Sequence, residues 1–236
     1  MILGRDRQRA AACFAEIDAA VEALRPKDAP PIALNAHAFP DELPREAIVY
    51  NFENVGTQIS PQAFIEHRLW DFSAANMPAW KGRASHVPVG YHASMERFDR
   101  VAESEPYVIL TGAMNSRRAQ IVHELERRRI VVVTVGHDGP YGRERDRLLA
   151  RARLALNVRF YEDGVFPVLR AAHCVANRVP VLSEATPDAP EWSVLEAGLD
   201  DLVETTVRLV SDPARLELAA AHAYGLFVSA PLKLPL

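Results

Sequence analysis

Residues Pro106–Gly136, "PYVILTGAMNSRRAQIVHELERRRIVVVTVG", decide how the chain is organised. An apolar run rich in β-branched and aromatic residues stops at Gly112. Asn115 and Ser116 then offer side-chain oxygens to cap a helix, and Ile121, Val122 and Leu125 recur at helical spacing. A second β-branched run, Ile130 to Val135, follows. Strand, helix and strand in this order make a right-handed βαβ unit, with both strands parallel in one sheet.

The same alternation continues downstream. "GRERDRLLARARLALNVRF" (Gly142–Phe160) predicts a basic helix and a strand ending near Asn157. "RFYEDGVFPVLRAAHCVANRVPVLSE" (Arg159–Glu184) predicts a helix from about Val165 to Ala176 and then the strand "VPVLSE". Two further helices are expected at Leu199–Val210 and Ala214–Val228. Upstream, Arg7–Leu24 has helical periodicity that ends at Pro26, and "PIALNAH" (Pro31–His37) and "AIVYNFE" (Ala47–Glu53) suit strands covered on both faces. "SPQAFIEHRLWDFSAANMPAW" (Ser60–Trp80) predicts a helix, a strand-like "LWDFS" and a new helix start capped by Ser73. "HVPVGYHASMERF" (His86–Phe98) is expected to be a connection. The fold class is therefore α/β, with two doubly wound parallel sheets and a short first domain of two or three strands.

Ligands of open parallel sheets sit beyond the carboxyl ends of the strands, which singles out particular residues. In the first half these are Asn35, His37, Asn51 and Glu53; Glu53 is either a base or one member of a surface ion pair. In the second half, "TGAMNSRR" combines Gly112, which permits close backbone approach, the capping residues Asn115 and Ser116, and the cations Arg117 and Arg118 at a helix N-terminus that already favours anions. This is either a diphosphate cradle or a glycine turn with a cap and two surface arginines. "VGHDGPYGRE" (Val135–Glu144) places Gly136, His137 and Tyr141 at the next strand end, as a nucleoside contact or a Gly-Pro turn. Tyr161 and Glu162 precede the following helix, in which Arg170 requires either a buried partner or a phosphate.

Other chemistries lack their motifs. The spaced Gly-Lys-Ser/Thr of a nucleotide-binding P-loop, the three-glycine dinucleotide fingerprint, zinc-spaced His-Glu pairs and a Gly-x-Ser-x-Gly elbow are all absent. The net charge of -4 argues against general affinity for nucleic acid. No apolar run approaches the roughly 18 residues of a membrane span, and Arg5, Asp6 and Arg7 follow directly on the first four residues, which reads as a cytoplasmic protein. Cys13 and Cys174 are expected to be buried thiols rather than a pair.

The order "YNFENVGTQ", "LWDFSAANM", "HVPVGYHASMERF", "LTGAMNSRRAQIVHELERRRI" and "YGRERDRLLARARLALNVRFYEDGVFPVLRAAHCVANRVPVLSE" resembles bacterial glycosyltransferases of the GT-B fold, and most of all the group related to spore-coat maturation glycosyltransferases. The resemblance covers roughly Ile48 to Glu184. It implies two facing Rossmann-like domains: an acceptor-side domain at 1–95 and a nucleotide-sugar domain at 96–212, with residues 213–236 as a helix crossing back to the first. It implies that Gly112 to Arg118 contact the donor diphosphate, that Gly136 to Tyr141 approach the nucleoside, and that Glu162, Val165 and Phe166 lie by the ribose and sugar. Many members carry a pair of glutamates with seven residues between them; counted from Glu162, the second position is Arg170. The expected activity is metal-independent, cofactor-free transfer of a sugar to the hydroxyl of a glycan, lipid-linked or protein acceptor, with Glu53 and then His37 as the candidate bases. The alternatives are a catalytically degenerate module of the same fold that binds a nucleotide or a partner protein, and an unrelated small-molecule enzyme on a doubly wound sheet.

Overall fold

The computed structural model describes residues 15, 17–34, 36, 43–101, 105–136 and 139–236. The chain divides into two compact units, Met1–Gly90 with Leu232–Leu236, and Tyr91–Pro231.

In the first unit, helical residues 17–24 (α1) precede a four-stranded parallel sheet in the order β1–β2–β3–β4. The strands are β1 (Ile32–Leu34), β2 (Ile48–Asn51), β3 (Arg68–Asp71) and β4 (Ala84–His86). All four residues of β2 are buried, as a strand covered on both faces requires. Val49 packs with Leu69, Ile59 and Trp80. On the other face the Tyr50 ring meets Trp70 edge-on, and its hydroxyl donates to the Val87 carbonyl at 2.7 Å.

Two expectations fail here. The helix expected after Ser60 is replaced by turns at residues 61–66, because Phe64 adopts a left-handed backbone (φ 57°) and the hydrogen bonds close at three-residue spacing, Ala63 to Ser60 and His67 to Phe64. The expected strand count also fails: the segment read as a connection is one after His86, but His86 itself closes β4, a strand of three residues whose Ser85 and His86 are exposed and so leave no apolar run to read. Among the described residues the first sheet therefore has four strands rather than two or three. A short helix, α2 (Met77–Trp80), follows β3 after the turn that Ser73 caps.

In the second unit, β5 (Glu105–Thr111), β6 (Val131–Val135), β7 (Ala152–Asn157), β8 (Val181–Glu184) and β9 (Glu196–Ala197) form a parallel sheet in the order β6–β5–β7–β8–β9. The helices are α3 (Ser116–Arg127), α4 (Arg143–Arg151), α5 (Val168–Ala176), α6 (Leu202–Val210) and α7 (Pro213–Val228). Alternate residues of β5 point to opposite faces. Val108 and Leu110 pack with Ile121 and Leu125 of α3 and Leu209 of α6; Tyr107 and Ile109 pack with Leu149 of α4 and Cys174 of α5. Cys174 is a buried thiol, and Cys13 lies outside the described residues.

The helices stop where the backbone reverses. Arg129 after α3 and Arg178 after α5 are both left-handed (φ 63° and 56°). Helix α5 starts at Val168 rather than Val165, because residues 161–164 make a turn, closed by Gly164 donating to Tyr161, and Pro167 sits at the cap. The two-residue strand β9 was not expected from the sequence. Helix α7 packs against α5 and α6, and the chain joins the first unit only from Leu232.

Candidate functional site

The strand order reverses at β5: the chain passes from β5 to β6 on one side and returns to β7 on the other. The crevice at the carboxyl ends of β5 and β7 is the topological switch point, where doubly wound sheets hold their ligands. Four arginines converge on it.

Gly112, directly after β5, has φ 108°, and a Cβ there would stand 2.7 Å from Arg170 Nη1 and 3.2 Å from Arg118 Nη1. Glycine alone lets the two guanidiniums approach the turn. Asn115 then caps α3, its Oδ1 accepting from the Arg118 amide at 3.0 Å, while its Nδ2 donates to the Phe160 carbonyl at 2.6 Å. This ties the loop after β5 to the loop after β7.

Arg118 is 2% exposed. It donates to Ala113 O at 2.6 Å and to Val158 O at 2.5 Å, and lies 5.3 Å above the Phe160 ring. Burial, reinforced by neighbouring Arg117 and opposed by Glu184, lowers its pKa to about 10, which leaves it charged at neutral pH. Arg170 donates to Thr111 O at 2.5 Å and to Val158 O at 3.1 Å, so one carbonyl receives two guanidiniums.

Arg117 and Arg159 instead share Glu184, the last residue of β8. Arg117 Nη1 donates to Oε2 at 2.8 Å and Nη2 to Oε1; Arg159 reaches Oε1 through Nη2 at 2.6 Å and Nε at 3.0 Å, and its amide reaches Oε2 at 3.1 Å. Burial raises the Glu184 carboxyl's pKa, but the bonds from Arg117 and Arg159 outweigh it and hold the group below the usual carboxylate range.

The remaining candidates are more dispersed. Ser116 is the exposed first residue of α3. Gly136 follows β6, Tyr141 lies against Gly139, and His137 is outside the described residues. Tyr161 is exposed, with its ring edge on Phe160, and Glu162 is exposed beside it. Val165 is half-buried. Phe166 is 1% exposed; its ring packs on Trp192 and its amide donates to Asp188.

In the first unit, the Glu53 peptide is held on both sides: its amide donates to Asn51 Oδ1, and its carbonyl accepts from Asn51 Nδ2 and Asn76 Nδ2, each at 2.9 Å. His37 and Asn35 lie outside the described residues. Behind the Glu53 clamp sits Asp71, fully buried, which accepts from Asn51 Nδ2 and Trp80 Nε1 at 2.7 Å, from the Ser73 amide at 2.9 Å and from Asn76 Nδ2 at 3.1 Å. Burial pushes its pKa upward against those donations.

Sequence reasoning gave Arg159 and Asp71 no role. Both lie at or just beyond a strand's carboxyl end, the signal applied only to the neighbouring strands.

The second unit's strand order and its crevice, together with the parallel sheet of the first unit, can be set against solved structures. The crystal structure of TarM aligns with a TM-score of 0.59 at 9% identity, covering 94% of this chain and 55% of that one. AviGT4, a glycosyltransferase involved in avilamycin A biosynthesis, aligns at 0.51 and 15% identity over 88% of this chain and 73% of that one. The likeness is one of fold: two α/β units, each built on a parallel Rossmann-like sheet, as in GT-B glycosyltransferase structures. No family model matches the chain. By sequence it is 22% identical over 172 residues to the uncharacterized protein L140 of Acanthamoeba polyphaga mimivirus, covering 68% of this chain. The chain spans 55% of the length of L140 and 55% of TarM. Among the described residues, no helix is long and apolar enough to cross a membrane.

Proposed function

We propose that the chain is a metal-independent glycosyltransferase that moves a sugar from a nucleotide-sugar donor to an acceptor hydroxyl. The observation that carries this is the convergence of Gly112, the α3 N-terminus and Arg117, Arg118 and Arg170 on the β5/β7 switch point. A diphosphate placed there meets fixed guanidiniums and the positive end of a twelve-residue helix, which together supply the charge a leaving nucleoside diphosphate requires. Val165, Phe166, Tyr161 and Glu162 are assigned to the sugar end, and Gly136, His137 and Tyr141 to the nucleoside.

In the reaction, the acceptor oxygen forms a bond to the sugar's anomeric carbon as that carbon's bond to the diphosphate oxygen breaks. The electron pair stays on the diphosphate, beside Arg117 and the α3 N-terminus, with Arg118 adding its charge from beneath the loop. The acceptor proton passes to Glu53, with His37 as the alternative base. The clamp on the Glu53 peptide suits this role, since a base on a fixed backbone keeps its reach. We place the protein in the spore-coat-related group, in the cytoplasm, acting in bacterial glycan or glycoconjugate synthesis.

Thermal unfolding against a panel of nucleoside diphosphates and their sugars, with and without magnesium, tests the proposal. A ligand at about 100 times its Kd should stabilise by about 2.7 kcal/mol. A shift with one nucleotide that is independent of magnesium, followed by release of that diphosphate from its sugar, is the expected result. No shift with any nucleotide overturns the donor site. Binding without consumption of the sugar makes the chain a binding module.

A further inference from the structure

We propose that Glu184 is a positioning residue for the anion crevice, fixing Arg117 and Arg159 in place before any ligand arrives; this rests on the assignment of the crevice to a diphosphate. A carboxylate beside an anion site is unfavourable if charge is all that matters. Its placement here is specific. The Glu184 side chain keeps 2% of its surface, whereas Arg117 and Arg159 keep 15% and 18%. The carboxylate is thus the more buried partner, and both arginine side chains keep some surface at the crevice.

Glu184 itself is held rigidly. It ends β8, pairs with Ala197 of β9, and is flanked by main-chain bonds from Ser183 to Leu195 and from Ala185 to Ala197. Its two oxygens take both Nη atoms of Arg117 and the Nε, Nη2 and amide of Arg159. Arg117 closes the group by donating to the Arg159 carbonyl at 3.1 Å. Two long side chains, one from the first turn of α3 and one from the loop after β7, are thereby locked to one strand end. The rotamer freedom they would otherwise lose on binding an anion is lost on folding instead, which is how preorganised sites gain affinity.

The consequence has a sign opposite to simple electrostatics. Removing a negative charge beside an anion should tighten binding, whereas removing a positioning group should weaken it.

The experiment is calorimetric titration of the full chain with inorganic pyrophosphate, for the unsubstituted protein, Glu184→Gln and Glu184→Asp, at a temperature where circular dichroism shows all three folded. Glu184→Gln is expected to bind about tenfold more weakly despite its added net positive charge, on the scale that orienting partners show in metal sites. Glu184→Asp keeps the charge but is one methylene too short to span both guanidiniums, so it should also weaken binding, and it carries the test if the glutamine variant does not fold. Unchanged or tighter binding by the variants, even with a lowered melting temperature, overturns the inference and leaves the crevice standing. Failure of the unsubstituted protein to bind pyrophosphate overturns the crevice and the inference together.

Discussion

Gly112 shows how narrow the tolerances at the crevice are. Its positive φ is strained for any other residue, and its missing side chain is the space into which Arg170 and Arg118 reach. Gly112→Ala should cost at least about 1 kcal/mol in urea unfolding and should also lower affinity for the nucleotide found by the screen. Gly56→Ala is the control: its φ of 96° is comparable, but nothing lies within 4 Å, so it should cost stability without touching affinity. Equal affinity losses in both would detach Gly112 from the ligand. Glu184 gives a pH prediction. Because its folded pKa is depressed, its contribution is complete above the unfolded glutamate value of about 4.3 and is lost as pH falls through the lower folded value. Urea midpoints of the unsubstituted protein should fall more steeply below about pH 4.5 than those of Glu184→Gln, and parallel profiles would show that the carboxylate contributes nothing. Gly112, Asn115, Arg117 and Arg118 were legible in the sequence because strand, glycine, cap and helix follow one another locally. The pairing of Arg117 and Arg159 through Glu184 was not, because it depends on β5, β7 and β8 being neighbours in the sheet. The surface setting offered as the alternative to a diphosphate cradle does not hold for Arg118, which is buried beneath the loop and donates to two carbonyls.

At the scale of elements, the first unit depends on one carboxylate. Asp71 ends β3 and gathers Asn51 from β2, Ser73 from the turn, and Asn76 and Trp80 from the start and end of the following helical segment. Through Asn51 and Asn76 it also fixes the Glu53 peptide. Asp71→Asn presents an amide nitrogen to a cage built of donors, so at least one buried N–H loses its acceptor, at a cost of about 1–3 kcal/mol. Trp80→Phe removes a single donor and should cost less by the same urea measurement; a larger loss for Trp80→Phe would put the ring's packing, not the cage, in control. None of this network was visible in the sequence, where "LWDFSAANMPAW" offers only a strand and a cap. Long elements with a repeated period, such as β5 and α3, were legible. Short ones were not: β4 and β9 have three and two residues, too few for alternation to register. The apolar spacing after Ser60 suggested a helix that the left-handed Phe64 forbids.

At the scale of the whole molecule, two parallel α/β sheets were readable because parallel strands buried on both faces leave continuous apolar runs, and the helices between them keep a 3.6-residue period; the strand order reverses only in the second, whereas the described strands of the first run β1–β2–β3–β4. The division of labour can be tested on the intact chain. Every residue assigned to the donor diphosphate lies in Tyr91–Pro231, and the candidate base Glu53 lies in the other unit. Hydrogen exchange measured with and without the nucleoside diphosphate should therefore slow in three stretches: Thr111 to Arg118, Val158 to Arg170, and around Glu184. Amides in β2 and β3 should be unchanged, since their protection comes from the sheet and from the Asp71 cage rather than from the ligand. The slowing should be largest at the Ala113 to Arg117 amides, which a phosphate bound at the α3 N-terminus would take up, since the Gly112 and Arg118 amides already donate to Val135 O and Asn115 Oδ1. Protection that appeared in β2 and β3 but not in the Gly112 loop would move the nucleotide to the first unit and reverse the roles assigned to the two sheets.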